Sequence, residues 1–427
     1  MNAVLLLLGL LALSYVGSML RGDRAIRGLG LPSGAEYLCL GVALGSHALG
    51  IIGRPLLESF EPLLVVAASW IAFVAGLGYN RVGARPIAAS RAVVGVLGAM
   101  LAGSAVFAAV YFALPLLAPE LMSERVLLAG GAGCVSAGTT RQAVRWVVQR
   151  YAAVGPLSDA LADYARASAL VPVAGLGILL AHYPVPGLAF IAFPGRVALT
   201  FGVGGLLGLV ALALLSRGVT RDETWGVLVG TSLLSMGVAA RLGLSPLAAS
   251  FALGLCIGVL SSRRAELTSM VRPTERAVLL PMAVLAGALV DVVNAPRVLV
   301  LVPLALAARY AMELVRGLWL CAGSSRARPA GPLVGYALVS TGDVTLACAV
   351  SIAVAFEHPA ALTVLAIAAA GLLTGEVVAP LALRRALVRA GELDLDAEPL
   401  WTPRPSDPGR SSDIGRPSDV GRSSDPA

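Results

Sequence analysis

The segment Leu127–Thr140, LLAGGAGCVSAGTT, is an apolar run broken by glycines and hydroxyls, followed by charged residues and a further apolar span. In a bilayer, such a break is tolerated only where protein or a water-filled cavity receives the freed backbone groups. A second broken run, Ala337–Ser351 (ALVSTGDVTLACAVS), lies in the C-terminal half with a lone acid, Asp343, at its break. One interrupted hydrophobic segment in each half is the pattern of an ion site built between half-helices.

The composition places these runs in a membrane. Hydrophobic residues make up 57% of the chain and charged residues 13%, against about a quarter charged in soluble domains. All 32 basic residues are arginine, which with the Ala, Gly and Leu excess reflects genomic bias. These arginines recur at short intervals between apolar spans rather than on one solvated face, so the positive charge is a topology signal and not a nucleic-acid surface. The five cysteines lie in or at the ends of apolar spans with no CxxC spacing, so small buried hydrophobes are expected. The three histidines have no second ligand at metal spacing. No cofactor and no resident metal is expected.

A span needs about twenty apolar residues. Counted that way, thirteen are expected, near 2–20, 33–52, 61–79, 91–115, 121–139, 158–181, 197–216, 223–240, 244–261, 277–293, 297–320, 332–355 and 361–381. The runs are too long and continuous for barrel strands, which makes the chain an all-α polytopic membrane protein. The first run lacks a basic start and an A-x-A cleavage site and reads as a retained helix.

Alternating the connections puts Arg21, Arg24, Arg27, Arg81, Arg85, Arg91, Arg141, Arg145, Arg150, Arg217, Arg221, Arg263, Arg264, Arg272, Arg276, Arg326, Arg328, Arg384, Arg385 and Arg389 on one side. Only Arg54, Arg125, Arg196, Arg241 and Arg297 fall on the other. The first side is then cytoplasmic, with the N-terminus outside and the C-terminus inside. Residues 1–391 form the expected membrane domain, and 392–427 an expected disordered cytoplasmic tail carrying the RPSDPG-like repeats that start at Arg404.

Acids within spans are costly, and each is a functional hypothesis by default. Asp163 follows Asp159 by four residues and precedes Arg166 by three, so an ion pair on its own helix is the alternative to a transport role. Glu313 lies between Arg309 and Arg316 with the same two readings. Asp343 follows Ser340, Thr341 and Gly342 at the centre of the second break, where a functional role is favoured. Glu376, in LLTGEVVAP, is a further candidate that Pro380 and the following arginines place towards the membrane surface. In the first break Ser136, Thr139 and Thr140 offer neutral oxygens, although its glycines also suit close helix packing.

Several stretches together resemble the bacterial monovalent cation:proton antiporters. They are YLCLGVALGSHALGIIG with WIAFVAGLGYN, VSAGTTRQAVRWVVQRYAAVGPLSD, LGLSPLAASFALGLCIG, LVSTGDVTLACAV and LLTGEVVAPLALRRALVRAGEL, in order over about residues 30–393. The resemblance implies a sodium/proton-exchanger-like fold with inverted repeats and two crossed discontinuous helices near 127–140 and 337–351. Core helices would lie at about 91–181 and 297–381, with the remaining helices a scaffold through which such proteins dimerise. It also implies that Arg309 offsets helix-end dipoles or pairs with the transport acid. One departure bears on function. The family keeps an acid about thirteen residues past the GPLS turn, and here that position falls on Ser168 and Ala169.

The first reading is therefore a Na+ or K+:proton antiporter with an atypical site, using Asp343, Asp163 and Glu376 with neutral ligands such as Ser168 and Thr341. Its expected setting is a bacterial-type inner membrane, and its expected state a homodimer. The second is an anion or organic-acid transporter on the same scaffold, with Arg166 and Arg309 facing the negative group. The third is a non-transporting sensor or structural paralogue. No nucleophile–base pair, metal cluster or phosphate loop points to an enzyme. A fusion-reporter scan is expected to report residues 141–150 as cytoplasmic, and an external signal there would overturn the arginine-based topology.

Overall fold

The computed structural model describes residues 34–46, 48–79, 89–151, 153, 155–183, 190–217, 220–290, 300–324, 327–356 and 358–394. The expected span 2–20, Arg21, Arg24, Arg27, His47, Arg81, Arg85, Arg297, Arg326 and the repeats from Arg404 lie outside them.

The helices in chain order are α1 (Ala35–Leu44), α2 (Arg54–Leu77), α3 (Ala89–Leu117), α4 (Arg125–Ala137), α5 (Arg141–Tyr151), α6 (Pro156–Ser168) and α7 (Leu170–His182). They continue with α8 (Phe193–Leu215), α9 (Arg221–Arg241), α10 (Pro246–Leu260), α11 (Arg264–Leu289), α12 (Leu301–Gly323), α13 (Asp343–Ala355) and α14 (Pro359–Arg389). A 3-10 segment, Pro332–Leu338, precedes α13 at a bend of 57°. Among the described residues, five helical stretches are long and apolar enough to cross a bilayer, and this bent pair makes a sixth. The chain is an integral membrane protein with an all-helical fold. Each expected span after the first has a helix at its position, though α1 and α10 are short and α11 begins at Arg264, well before the expected 277.

Local chemistry explains the boundaries. Pro156, Pro246 and Pro359 open their helices at the first helical position, where a missing N–H costs nothing. Thr220 and Glu223 form a reciprocal capping box at the start of α9. The backbone of Ala248 donates to Ser245 Oγ at the start of α10 (3.2 Å).

In an apolar solvent helix association depends on close contact rather than on hydrophobicity, so small residues mark the packing seams. α10 lies against α2 and α8, α1 against α11, and α13 against α2 and α14. At the α2–α10 seam the Gly254 Cα faces the backbone of Phe73 and Leu77, where any side chain would strike the opposite helix. All five cysteines are free thiols; Cys348 is buried, but Cys39 is exposed on α1, so the expectation of a buried thiol fails there.

The packed domain runs past the expected boundary at 391. Leu393 is buried, and the Glu392 carboxylate accepts the N–H groups of Leu157 and Ser158 (2.9 Å for Ser158) at the start of α6. An acid at a helix N-terminus satisfies orphan donors and complements the dipole. Replacing Glu392 by Ala is expected to cost about 1 kcal/mol, read as a lower thermal midpoint of the detergent-solubilised protein; an unchanged midpoint would show that the contact adds nothing.

Candidate functional site

The two interruptions meet. α4 stops at Ala137, Gly138 is extended, and α5 begins at Arg141. In the second run the 3-10 segment stops at Leu338, and Asp343 is the first residue of α13. The N–H of Thr140 donates to the carbonyl of Ser340 (2.8 Å), joining one break to the other. The approach is tight enough that a Cβ on Gly342 would lie 2.6 Å from that of Thr140, so only glycine fits there.

Arg309, on α12 and 1% exposed, holds this junction. Its guanidinium donates to the carbonyls of Ser136, Gly138 (2.8 Å) and Val339 (2.9 Å). Those carbonyls belong to the ends of the two first half-segments, where the helix leaves acceptors without partners. Of the two roles the family resemblance implies, these contacts are those of dipole compensation. One turn on, Glu313 pairs with Arg316 at 3.5 Å, both buried, as the neutralised-cluster reading expects.

Asp343 is 8% exposed and accepts a hydrogen bond from Gln142 Nε2 (3.0 Å), on α5 just past the first break. Thr140 Oγ1 accepts the Gln142 N–H (3.1 Å) and so orients the start of α5. Ser168 is fully buried, and its hydroxyl accepts the Thr139 N–H (3.2 Å) and donates to the Ala165 carbonyl (2.8 Å). Ser168 therefore supports the backbone of the first break.

A cavity of about 50 Å³ opens at the junction, lined among others by Thr139, Gln142, Arg166, Ala169, Glu275 and Asp343. By the calibration that about 10–15 Å³ of this kind of volume holds one water, it has room for a few waters or one small ion. Ala169, where the resemblance expects an acid, presents a methyl group to it.

The other sequence candidates separate from this centre. Asp163 pairs with Arg91 of α3 at 3.0 Å, an interhelical contact in place of the expected intrahelical one, and it is not on the cavity wall. Glu376 is 2% exposed within α14, four residues before Pro380. Its neighbour Gly375 packs on the Ser340 backbone, but Glu376 does not line the cavity. Thr341 is buried beside the second break, and its hydroxyl has no partner among the described residues. Gln142 and Glu275 were not among the sequence candidates. Gln142 stands two residues past Thr140 and was accessible from the motif, whereas Glu275 precedes the apolar run used to define its span.

Arg309→Ala is expected to leave three buried carbonyls without a donor and to cost about 3 kcal/mol or more. The thermal midpoint of the purified protein would fall by several degrees, and Arg309→Lys, with fewer and less planar donors, would recover part of the loss. A wild-type midpoint for Arg309→Ala would remove the guanidinium from its structural role.

No protein-family model and no curated protein sequence matches the chain. Solved structures do. The sodium proton antiporter MjNhaP1 from Methanocaldococcus jannaschii at pH 8 superposes with a TM-score of 0.64 at 14% identity, covering 91% of this chain and 100% of that one. The structure from its three-dimensional electron-microscopy map gives 0.59 at 15% identity, covering 94% and 100%. At such identities the likeness concerns architecture, and the architecture is that of a sodium/proton antiporter.

Proposed function

We propose that the chain is a secondary transporter exchanging a monovalent cation, Na+ or K+, for protons at the junction of its two interrupted runs. In this reading the runs are the crossed discontinuous helices of an inverted repeat, within core helices at about 91–181 and 297–381. The other helices serve as the scaffold of a homodimer in a bacterial-type inner membrane, with the N-terminus outside and the C-terminus in the cytoplasm.

The observation that carries this reading is the Asp343 carboxylate on a small cavity between two hydrogen-bonded helix breaks. A carboxylate in such a place takes either a proton or a cation, and their competition is the exchange. Thr139 and Thr140 on the cavity wall supply neutral oxygens around it. The fold it shares with MjNhaP1, a sodium proton antiporter, agrees with this chemistry.

Arg166 on the same wall supports a second reading, in which an anion is carried. The cavity volume favours a small inorganic anion over an organic acid in that case.

Proteoliposomes holding the purified chain are expected to dissipate an imposed pH gradient when Na+ or K+ is added. Losing about 2 kcal/mol of interaction with a charged group corresponds to roughly thirtyfold weaker binding, so Asp343→Asn should nearly abolish the response. No response of the wild type to either cation over a broad pH range would reject the cation reading. Anion uptake lost in Arg166→Ala would establish the second.

A further inference from the structure

We propose that Glu275, on α11, is a cation-binding carboxylate of the junction cavity and acts with Asp343 in place of the acid missing at Ser168 and Ala169. The inference rests on the cation-exchange reading of the same site. It assigns the second acid to a helix other than α6, where the resemblance looks for it.

Glu275 lines the cavity together with Asp343, Arg166 and Ala169. Neither of the other acids considered for exchange does so: Asp163 is turned to Arg91, and Glu376 is not on the cavity wall. The position of Glu275 is also built. Its neighbour Thr274 accepts a hydrogen bond from Trp70 Nε1 (2.9 Å) and donates to the Val271 carbonyl (2.6 Å). Trp70 stacks in turn on Trp225, with centroids 6.3 Å apart and planes at 8°. These contacts lock the register of α11 to α2. Just past the end of α2, Tyr79 reaches across to donate to the Arg166 carbonyl, and both Tyr79 and Ala75 of α2 stand on the cavity wall.

A separate observation points to a ligand. Thr139 lines the cavity, is 4% exposed, and its hydroxyl has no hydrogen-bond partner among the described residues. A buried hydroxyl left in this state costs free energy unless something occupies the space beside it. Gln142, with Nε2 committed to Asp343, keeps its amide oxygen as a second neutral ligand.

Charge decides the class of that ligand. Asp343 and Arg166 alone sum to zero, whereas adding ionised Glu275 gives a net charge of minus one. One monovalent cation neutralises that sum; an anion would double it. Hard oxygen ligands from two carboxylates, a hydroxyl and an amide suit Na+ or K+, and the volume admits one such ion with little water.

The test uses the purified full chain. Its thermal midpoint is followed against NaCl and KCl, with N-methyl-D-glucamine chloride keeping ionic strength constant, alongside exchange in proteoliposomes. Wild type is expected to be stabilised by at least one of the two cations. Glu275→Gln should need about tenfold or more cation for the same shift, with the same displacement of the half-maximal exchange concentration, and Glu275→Asp should fall between. A purely structural role would lower the midpoint of Glu275→Gln yet leave its cation dependence at the wild-type value, which would overturn the inference. If Glu275→Gln does not fold, an unchanged cation dependence in Glu275→Asp overturns it equally. Should wild type bind a cation but exchange none for protons, the exchange reading fails while the Glu275 binding arm still decides this one. If neither cation stabilises wild type, Glu275 is not a cation ligand.

Discussion

Arg309 reaches three carbonyls from two different chain breaks, and the arrangement of the site follows from that contact. A helix stopped inside apolar surroundings leaves acceptors that no water can serve, each costing about 1–3 kcal/mol if left bare. The ends of two such segments also carry partial negative charge and would repel one another. A guanidinium, with five donors and no acceptor, answers both problems at once. Ser136 and Gly138 are held from one run and Val339 from the other. The hydrogen bond from Thr140 to Ser340 then sets how the two strands of backbone lie together.

With the negative ends engaged by Arg309, the positive end of α13 is left to Asp343, which opens that helix. A carboxyl side chain in the first turn stands where the helix dipole is positive, so the two ends of the junction are balanced separately. Arg309, Glu313 and Arg316 form a row along α12, and the pairing of the latter two keeps the buried charge of that row at a single positive unit facing the carbonyls. The cavity inherits its geometry from these constraints and its charge from the residues that remain.

Much of this was legible in the chain. Apolar runs of bilayer length are an unavoidable signal, because each span must satisfy its backbone internally, and helices stand at the positions of the spans from the second onward. The breaks were legible because Gly138 and Ser340–Gly342 interrupt otherwise continuous hydrophobic text, and the count to Ser168 and Ala169 ends on the junction itself, at the Thr139 backbone and the cavity wall. What was hidden depended on distant partners. Asp163 has Arg166 three residues on along its own helix, yet meets Arg91 from 72 residues away. Glu376 is buried, which the arginines that follow it do not signal, because burial depends on the helices packed around α14. Glu275 precedes the apolar stretch expected from 277, whereas the helix starts at Arg264 and passes through Pro273. A polar turn that belongs to a helix looks like a loop until its packing is seen.

The absence of an acid at Ser168 and Ala169 changes what the cavity must do to attract a cation. Ala169 contributes no charge, Ser168 is committed to backbone, and Arg166 from the same helix adds a positive unit. Against that, Asp343 alone brings the sum only to zero, and a dehydrated cation gains no net attraction from a neutral pair while losing its water. Two ways of breaking the tie follow from the residues present. If Arg166 dominates, the cavity is an anion site or a closed one with an internal counter-ion. If a second carboxylate dominates, selectivity for cations returns even though the familiar position is vacant. Glu275 stands on the wall from the α2 and α11 side, so in the second case the ion lies between that pair and the interrupted runs, and occupancy becomes coupled to how closely the two sets of helices are docked.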